Sequence, residues 1–521
     1  MAIMPDSTVW LLNVPFDNSY KNQIYFLTLG EQQEYFNNKI VKTFPDCSYV
    51  RKEVDGKVHA GIRVDAHVDS LAICNYIMYT NSNYSSKRFY AFITEMVYKN
   101  DNCTEIYFET DCYQTWRFNI EVLPSFVVRE HPYSDNIGEH RIPEDFSFKD
   151  YKLIDISTRM TDESLTTWGY LVGTTEQLGA DGSRGKQMSG IYQGLYFYYY
   201  ENENNLNVFL DEVEEEGGDC VQFICAIPKF CLNGNTVGGG DKTEGWVYYS
   251  SEPAELTLTT EKPPYVTNID GYTPKNNKCF TSQFYNLFVS NNAGESNEYA
   301  FEDWTGENIS FALYGDVSAN PTVMLVPKSH KAMTENFEEG MTLAGFPQCA
   351  FNSDSFKLWL SRNQFSLGTK AVTDTVGLAT GIATGNVTGV MNSAVSIAGT
   401  IGDIYAHSKD PNKAHMGSSK CNLLTACKQN KFSFYIKMLR NDYIKIVDDY
   451  FTMFGYKCNR VKRPQMSLRP CWNYVQTINV NISGAIPNND MKVIKAMFDN
   501  GVTLWRSGAK FGDYSANNKF T

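Results

Sequence analysis

The chain has 521 residues, with 46 Lys and Arg against 59 Asp and Glu, a formal net charge of −13. With 42% hydrophobic and 20% charged residues, the composition excludes an intrinsically disordered, collagenous or polytopic membrane protein. Because single hydrophobic cores stop growing at roughly 250–300 residues, we expect about two to four domains. Aromatic residues make up 14% of the chain, which favours β-strands.

The acidic balance argues against a protein that grips nucleic acid, because such a surface repels phosphate groups. It still allows DNA to pass without being held. The 13 Cys are scattered, with no Cys-x-x-Cys pair and no Cys and His cluster at metal-binding spacing. We therefore expect reduced thiols from a cytosolic site of synthesis, with no zinc and no other cofactor. The first six residues lack the features of a signal peptide.

The first predicted domain, residues 1–131, is a succession of strands. From Val58 to Val68 apolar residues alternate with polar ones, a period of two that indicates a strand with one buried and one exposed face. Further strands, separated by turns rich in Asn and Asp, are predicted at residues 89–98, 105–116 and 126–128. This succession is typical of a β meander or a Greek-key barrel.

A second, inserted β domain is predicted over residues 132–270, where the pattern is looser and strands are expected at 191–200 and 221–227. This region contains an acidic run, of which the candidate functional residues are Asp211, Glu212, Glu214, Glu215 and Glu216. One interpretation of the run is a solvated loop. The alternative is an acidic lumen or rim that repels DNA phosphates.

A third β domain is predicted over residues 271–365, with strands at 278–290, 298–304, 309–314 and 322–326 and a turn at 291–294. In the last region, residues 421–521, apolar residues from Phe432 to Phe454 recur at helical spacing and predict an amphipathic helix. We expect this helix to end before Gly455. A shorter helix, 491–499, is predicted to have Asp490 as its cap.

Between the third domain and the last region lies a long Gly-rich loop, predicted over residues 366–420. Within it, residues 375–402 carry neither a charge nor an aromatic ring, in a chain that is 20% charged. Glycine recurs at every fourth position from Gly377 to Gly389, so a helix formed here would let its neighbours approach closely. If this segment enters a membrane, the residues that penetrate are Val376, Gly377, Leu378, Gly381, Ile382, Gly385, Val387, Gly389, Val390, Met391, Val395, Ile397 and Ile401.

The physical properties of residues 375–402 favour conditional rather than permanent membrane insertion. Each Gly costs about 1 kcal/mol in a helix relative to Ala, so an isolated helix would be unstable in water. The stretch is long enough to cross a hydrocarbon core of about 30 Å, but its Gly and Thr dilute the hydrophobicity of a constitutive span. From the residues alone three hypotheses stay open: membrane activity, a buried or intersubunit helix, and a flexible linker.

The sequence does not support an enzyme. It contains no nucleophile elbow, phosphate-binding loop, His-Glu-x-x-His helix or dinucleotide fingerprint. A group of basic residues lies near the end of the chain: Lys457, Arg460, Lys462, Arg463 and Arg469. We interpret this group as a solvated turn or a subunit contact rather than a DNA-binding site.

Several stretches of the sequence together resemble one family. Towards the N-terminus they are Asn13–Asn22, Phe89–Glu95, Gln114–Trp116 and Ser125–His131. Towards the other end they are Gly455–Lys457, Asn459–Lys462, Asn473–Thr477, Ile482–Gly484, Asn488–Asp490 and Phe498–Trp505. They resemble the tail knob, or distal tail tube, proteins of small short-tailed phages that infect Gram-positive bacteria and replicate by protein priming. The resemblance covers both ends of the chain specifically, but not residues 132–270.

The resemblance implies a mainly β fold with a few helices (α+β), in which several barrel-like or sandwich domains assemble into a homo-hexameric tube. This tube would sit at the tip of the virion tail, on the lower collar or tail connector of the same phage. Genomic DNA would pass through it in transit, without sequence-specific binding. Family members carry a long hydrophobic loop where residues 371–406 stand here. Six such loops would plug the tube before infection and then exit to penetrate the host cell membrane.

Two other classes of function remain as alternatives. In the first, residues 132–270 recognise a receptor or a cell-wall polymer, which is compatible with a role in the tail tube. In the second, the protein is a tail enzyme that degrades the cell wall. We favour the ejection conduit, a structural protein of the virion that is made in the host cytoplasm and catalyses no reaction.

Overall fold

The structure, a computed structural model, describes residues 7–47, 49–54, 57–81, 85, 87–177, 187–188, 191–215, 220–232, 236–238, 245–247, 252–262, 268–350, 423–425 and 427–519. Within them the chain is mainly β with a few helices, which confirms the predicted fold class. It divides into a first unit of residues 1–147, 270–279 and 441–521, and a second unit of residues 148–269 and 280–440. The division into five regions stays a prediction.

The first unit begins with a seven-stranded sheet. Its opening part contains β1 (Ser7–Leu12), β2 (Asn22–Ile24), α1 (Leu29–Asn37), β3 (Ile40–Cys47), β4 (Tyr49–Val54), β5 (Lys57–Val64), β6 (Tyr76–Asn81), β7 (Arg88–Asn100), β8 (Cys103–Thr110), α2 (Cys112–Trp116), β9 (Ile120–Val122) and β10 (Ser125–Glu130). The strand order is β3-β1-β6-β7-β8-β5-β4, so β6, β7 and β8 form a meander. Alternating residues of these strands face a buried apolar core.

The strand predicted over residues 105–116 is wrong in its second half. β8 ends at Thr110, and Asp111 then caps α2, because its side chain accepts a hydrogen bond of 3.0 Å from the Gln114 backbone N–H. Asp111 is fully buried and also accepts from the Tyr76 hydroxyl at 2.8 Å. Burial raises the pKa of Asp111 to about 7.

The second unit contains three four-stranded sheets. Its elements are β11 (Tyr151–Asp155), α3 (Glu163–Thr166), β12 (Trp168–Thr174), β13 (Gln187–Met188), β14 (Ile191–Tyr192), β15 (Tyr196–Tyr200), α4 (Glu203–Glu215), β16 (Val221–Pro228), β17 (Thr236–Gly238), β18 (Gly245–Val247), β19 (Ala254–Glu261), β20 (Tyr285–Ser290), β21 (Ser296–Tyr299), β22 (Asn308–Gly315), β23 (Val323–Lys328), β24 (Met341–Thr342), β25 (Gln348–Ala350) and β26 (Ser433–Leu439). The sheet orders are β15-β12-β16-β25, β11-β26-β20-β21 and β19-β22-β23-β24.

The strands predicted at 221–227, 309–314 and 322–326 are confirmed as β16, β22 and β23. Two other predictions are too long. β20 begins only at Tyr285, and β21 ends at Tyr299, after which Phe301–Asp303 form a 3-10 helix. In both places only part of a mixed apolar stretch pairs in a sheet.

The chain then returns to the first unit, with α5 (Asn441–Phe454), β27 (Tyr456–Lys462), β28 (Trp472–Ile478), β29 (Ile482–Gly484), α6 (Asn488–Asn500) and β30 (Val502–Trp505). These strands complete a five-stranded sheet of order β2-β30-β28-β10-β27, so β10 lies between two strands that follow it by more than 300 residues. Three members of the basic group named above form ion pairs in this part of the chain: Lys457–Asp145, Lys462–Glu130 and Arg463–Glu121.

The helix predicted from Phe432 to Phe454 is half wrong. Its first part is β26, in which Phe434, Ile436 and Met438 alternate as buried residues, and only α5 is helical. In this stretch the apolar residues fit both the helical and the strand period. Hydrogen bonding to β20 and β11 stabilises the strand. Gly455 follows α5 with φ +64°, which confirms its position at the helix end.

Asp490 does not cap the last helix, which is a further correction. α6 begins earlier, at Asn488, with Pro487 before it and no side-chain cap. The Asp490 carboxylate instead accepts a 2.6 Å hydrogen bond from the indole Nε1–H of Trp116. The contact joins residues far apart in the sequence, so spacing along the helix gave no sign of it.

A buried ion cluster ties together separate segments of the first unit. Glu144 Oε1 lies 2.5 Å from Lys278 Nζ and accepts a 3.1 Å hydrogen bond from the Lys457 backbone N–H, while Oε2 pairs with Arg129. Burial alone would raise the pKa of Glu144, but hydrogen bonding and charge from Lys278 and Arg129 outweigh it and hold this pKa below its usual value.

Within the described ranges, none of the helices combines the length and the apolar character needed to cross a bilayer. The same residues bring together no group of three or more His, Cys, Asp or Glu side chains suited to hold a metal ion.

Candidate functional site: the base of the 351–422 segment

All thirteen predicted membrane-penetrating residues, Val376 to Ile401, lie outside the described residues. The structure does describe the chain on both sides of residues 351–422. We call residues 341–350, 423–425 and 427–433 the segment base. Both sides of this base belong to the second unit. The base therefore shows how the fold holds the ends of the predicted functional segment.

The first side of the base is held by two sheets. β24 pairs with β23, and β25 pairs with β16 through Gln348 opposite Cys225. Between them, Phe346 is buried and packs edge-on against Trp168, with ring centroids 5.5 Å apart. The Gln348 side chain also donates a 2.9 Å hydrogen bond to the carbonyl of Ala319. These contacts position the chain up to Ala350, before the predicted loop of residues 366–420.

The second side of the base is a tight turn that leads into an inner strand. The Gln429 backbone N–H donates to the Leu424 carbonyl at 2.7 Å, and Lys428 has φ +55°. β26 follows directly and lies between β11 and β20, so it is hydrogen-bonded on both edges. The chain therefore re-enters the fold at the middle of a sheet.

One asparagine joins the two sides. Asn430, which is buried, donates from Nδ2 to the carbonyl oxygen of Gly345 at 2.8 Å, although the residues are 85 positions apart. The Thr425 hydroxyl lies 3.3 Å from the same nitrogen. Gly345 has φ +99°, a conformation that favours glycine, so its backbone presents the carbonyl at little cost in strain. The base is thus a closed neck.

A neighbouring turn supports both sides of the neck. Asn291 Nδ2 donates to the Thr342 carbonyl at 2.8 Å, and Asn292 Nδ2 donates to the carbonyls of Gln429 and Lys431 at 3.1 and 3.0 Å. The sequence predicts a turn at 291–294, which the structure confirms, but its role as a support could not be inferred from spacing. Amide groups make these hydrogen bonds, so they involve no titratable proton.

His330 lies in the loop between β23 and β24, on the way to the base. Its side chain is buried, with Nδ1 3.0 Å from Glu339 Oε2 and Nε2 4.0 Å from Asp303. Burial lowers the pKa of His330, while Glu339 and Asp303 oppose this shift.

The acidic run belongs largely to α4, so its interpretation as a loop is wrong as far as Glu215. Leu206, Phe209, Leu210 and Val213 share one buried face of this helix, at the spacing i, i+3, i+4 and i+7. Asp211 and Glu212 are exposed; the side chains of Glu214 and Glu215 and all of Glu216 lie outside the described part. The apolar spacing was present in the sequence, but the density of charge obscured it.

Comparisons with known proteins extend over nearly the whole chain. A family model described as "Bacillus phage phi29, Tail knob protein gp9, C-terminal domain" matches residues 251–519, and one described as "Caudoviral major tail protein N-terminus" matches residues 6–121. The tail knob protein gp9 of Bacillus phage B103 is 25% identical, with 97% of each chain covered. The corresponding proteins of Bacillus phages PZA and phi29 are 25% and 24% identical, with 98% of each chain covered.

A solved structure has the same fold. The bacteriophage C1 tail knob protein gp12 superposes with a TM-score of 0.60 over 99% of this chain and 100% of that one, at 15% sequence identity. At this identity the similarity concerns the fold alone. It agrees with the mainly β architecture of both units described above.

Proposed function

Because the chain belongs to the phage tail knob family represented by phi29 gp9, and so is a structural component of the virion tail, we propose that it forms the distal tail tube. Six copies assemble into this tube, which sits at the tail tip on the lower collar. The genome leaves the particle through its lumen. The protein contributes walls and surfaces to this process and catalyses no reaction.

The second part of the proposal is that the Gly-rich loop of residues 366–420 opens the host membrane. The observation that carries it is the closed neck at Asn430 and Gly345, together with an uncharged stretch at residues 375–402. The hydrogen bonds of the neck are made by groups outside the segment. The segment can therefore exchange a place in the lumen for lipid without breaking the sheets that hold its ends.

Composition favours this exchange. No charged side chain of residues 375–402 has to be dehydrated on entry into lipid, where a charge would cost several kcal/mol or more. In the lumen, the glycine positions allow six copies to pack closely and to exclude water from one another. Packing energy among the copies replaces the helix stability that the Gly-rich sequence lacks in water.

Charge supports the passage of DNA. A hexamer would carry about six times the net charge of −13, and an acidic lumen repels phosphates instead of binding them through counterion release. The exposed carboxylates of Asp211 and Glu212 are candidates for a lumen or rim position, together with Glu214, Glu215 and Glu216. DNA would then slide through without being held at any sequence.

Leakage of dye-loaded liposomes tests the membrane step. Purified hexamers should release dye, and deletion of residues 375–402 should abolish release. Size-exclusion chromatography with light scattering should give the same hexameric mass for both proteins. Unchanged leakage from the deletion variant would contradict the proposed role of the segment.

A single substitution tests the mechanism more narrowly. Gly385→Glu puts six carboxylates where the segments meet, so we expect membrane release to be lost while the β-sheet signal in circular dichroism is unchanged. Gly385→Ala is the matched control, because it adds a methyl group without a charge. Equal release by the Glu and Ala variants would show that close, uncharged packing is not required.

Cell-wall degradation is the competing function, and zymography separates it from ours. We expect no clearing zone when the protein is renatured in a gel that contains host cell walls. Clearing that disappears on substitution of a carboxylate would replace the structural proposal with an enzymatic one.

A further inference from the structure

The first unit contains a cavity of about 270 Å³. None of the residues that line it belongs to the segment base. Its walls come from five parts of the chain, among them the loop with Lys275, the residues before β28 with Arg469, and the stretch that ends at Lys519. His131 and Asp135 also line the cavity. A space of this size suits a small ion or one group of a larger ligand.

Arg469 is a buried cation that forms no ion pair with the described residues. Its side chain is about nine-tenths buried, and its guanidinium makes one hydrogen bond, from Nη2 to the carbonyl of Pro132 at 3.0 Å. The buried Nε–H has no acceptor, and among the described residues no carboxylate lies within 4 Å of the guanidinium. A guanidinium has five N–H donors, and a buried charge is costly unless it is paired.

The nearest candidate counter-ion, Asp135, is already engaged. Its Oδ1 accepts from the Tyr456 hydroxyl, and its Oδ2 accepts from the Asn277 backbone N–H at 3.1 Å. Burial raises the pKa of Asp135, while its hydrogen bonds from Tyr456 and Asn277 and the charge of Arg469 oppose the shift. Asp135 therefore compensates Arg469 only in part.

His131 adds no charge to the cavity. Its Nδ1 accepts from the Tyr474 backbone N–H at 2.8 Å, so Nε2 carries the proton and donates to the carbonyl of Thr452 at 3.1 Å. Burial lowers the pKa of His131 to about 3, with Arg469 contributing in the same direction. The imidazole is neutral, and the cations of the cavity are those of Arg469, Lys275 and Lys519.

We propose that this cavity binds a phosphate group, as inorganic phosphate or as a phosphate ester, with Arg469 as the buried anchor and Lys275 and Lys519 at the exposed rim. The three cations come from separate chain segments, which suits a tetrahedral oxyanion that accepts hydrogen bonds from several directions. A guanidinium pairs with phosphate through parallel N–H···O bonds, and lysine contributes a mobile point charge. The ligand supplies the counter-ion that Arg469 lacks.

Isothermal titration calorimetry on the full-length protein, at constant ionic strength, tests the proposal with three probes. Inorganic phosphate and dimethyl phosphate should bind saturably and raise the melting temperature, and acetate should bind at least about tenfold more weakly because it is planar and has two acceptor atoms. A short single-stranded DNA separates the sources: displacement of phosphate by the DNA identifies a nucleic-acid phosphodiester as the ligand, and its absence identifies a free phosphate or another ester.

Substitutions locate the site. Lys275→Gln and Lys519→Gln should each weaken phosphate binding by about three- to tenfold, and Arg469→Gln should abolish it. Lys492→Gln is the matched control, because Lys492 is an exposed lysine on α6 that does not line the cavity. If Arg469→Gln does not fold, the double variant Lys275→Gln with Lys519→Gln decides. Absence of saturable binding, equal binding of acetate, or full affinity in the double variant would each overturn the proposal.

Discussion

Asn430 and Gly345 lie 85 positions apart, and the amide of Asn430 donates to the Gly345 carbonyl at 2.8 Å. This hydrogen bond closes the neck of the segment that carries every predicted membrane-penetrating residue. On either side of it the chain is paired in a sheet, through β25 and β26. The described chain on both sides of residues 351–422 is thus held within the second unit.

Removing the side chain of Asn430 should loosen the second unit. Asn430→Ala leaves the Gly345 carbonyl without this donor in a buried place, and we expect the free energy of unfolding to fall by about 1–3 kcal/mol. Asn320→Ala, at an exposed position of the same unit, should change it by no more than about 0.5 kcal/mol. Urea unfolding followed by circular dichroism compares the two. Equal midpoints would show that the neck contributes nothing to stability.

Gly455 is predicted to tolerate no side chain. Its φ is +64°, and a Cβ would lie 2.2 Å from the carbonyl oxygen of Glu130. Gly455→Ala should therefore destabilise the first unit by about 3 kcal/mol or more, from backbone strain and steric overlap. Gly512→Ala also has positive φ, but nothing lies within 4 Å of its Cβ, so about 1 kcal/mol is expected. Thermal unfolding should rank the two variants in this order.

The ion cluster around Glu144 gives a matched pair of neighbouring substitutions. Glu144→Ala leaves Lys278 and Arg129 buried without their counter-ion, and we expect a loss of about 3–5 kcal/mol in the free energy of unfolding. Asp145→Ala removes the exposed partner of Lys457 and should leave the free energy of unfolding nearly unchanged, because solvent screens this pair. A similar loss of unfolding free energy in both variants would mean that the buried cluster stabilises the fold no more than the exposed ion pair does.

His131 should make the first unit sensitive to acid. Its pKa is about 3 in the folded protein, against about 6.5 when unfolded, because burial and the charges of Arg469 and Arg129 disfavour protonation. Above pH 6.5 both states are neutral and stability is unaffected. Below it the unfolded state gains the proton first, so at pH 4.5 the folded state should lose about 3 kcal/mol relative to pH 7.5.

Chemical unfolding at pH 7.5 and 4.5 measures this effect. His131→Asn should reduce the difference in stability between the two pH values, because it removes the titrating imidazole. The same pH dependence in the wild type and in His131→Asn would assign the acid sensitivity to other groups.

How far the sequence predicts the fold depends on whether the relevant contacts are local. β22 and β23 were predicted close to their observed bounds, because their apolar residues and turns carry the signal within a few positions. The end of α5 at Gly455 was predictable for the same reason. β26 was not, because helical and strand periods overlap in it and its pairing partners β11 and β20 lie more than 140 residues away.

The candidate site divides in the same way. Residues 375–402 stand out by composition, which needs no structure, whereas the neck that holds them depends on Asn430, Asn292 and Asn291, whose spacing indicates only turns. No pattern in the amino-acid sequence indicated the cavity at Arg469. In the sequence Arg469 was one of five basic residues, and burial without a carboxylate partner is what distinguishes it.

The amino-acid sequence by itself determined the β-rich class, the acidic charge, the uncharged Gly-rich stretch and the resemblance to tail knob proteins, because each of these is a property of residues close together along the chain. The tertiary structure decided that β10 lies between β27 and β28, that Asn430 meets Gly345, and that the buried Arg469 lines a cavity. These relationships join residues far apart in the sequence. Only the complete packing of the chain selects one such pairing among the many that local periodicity allows.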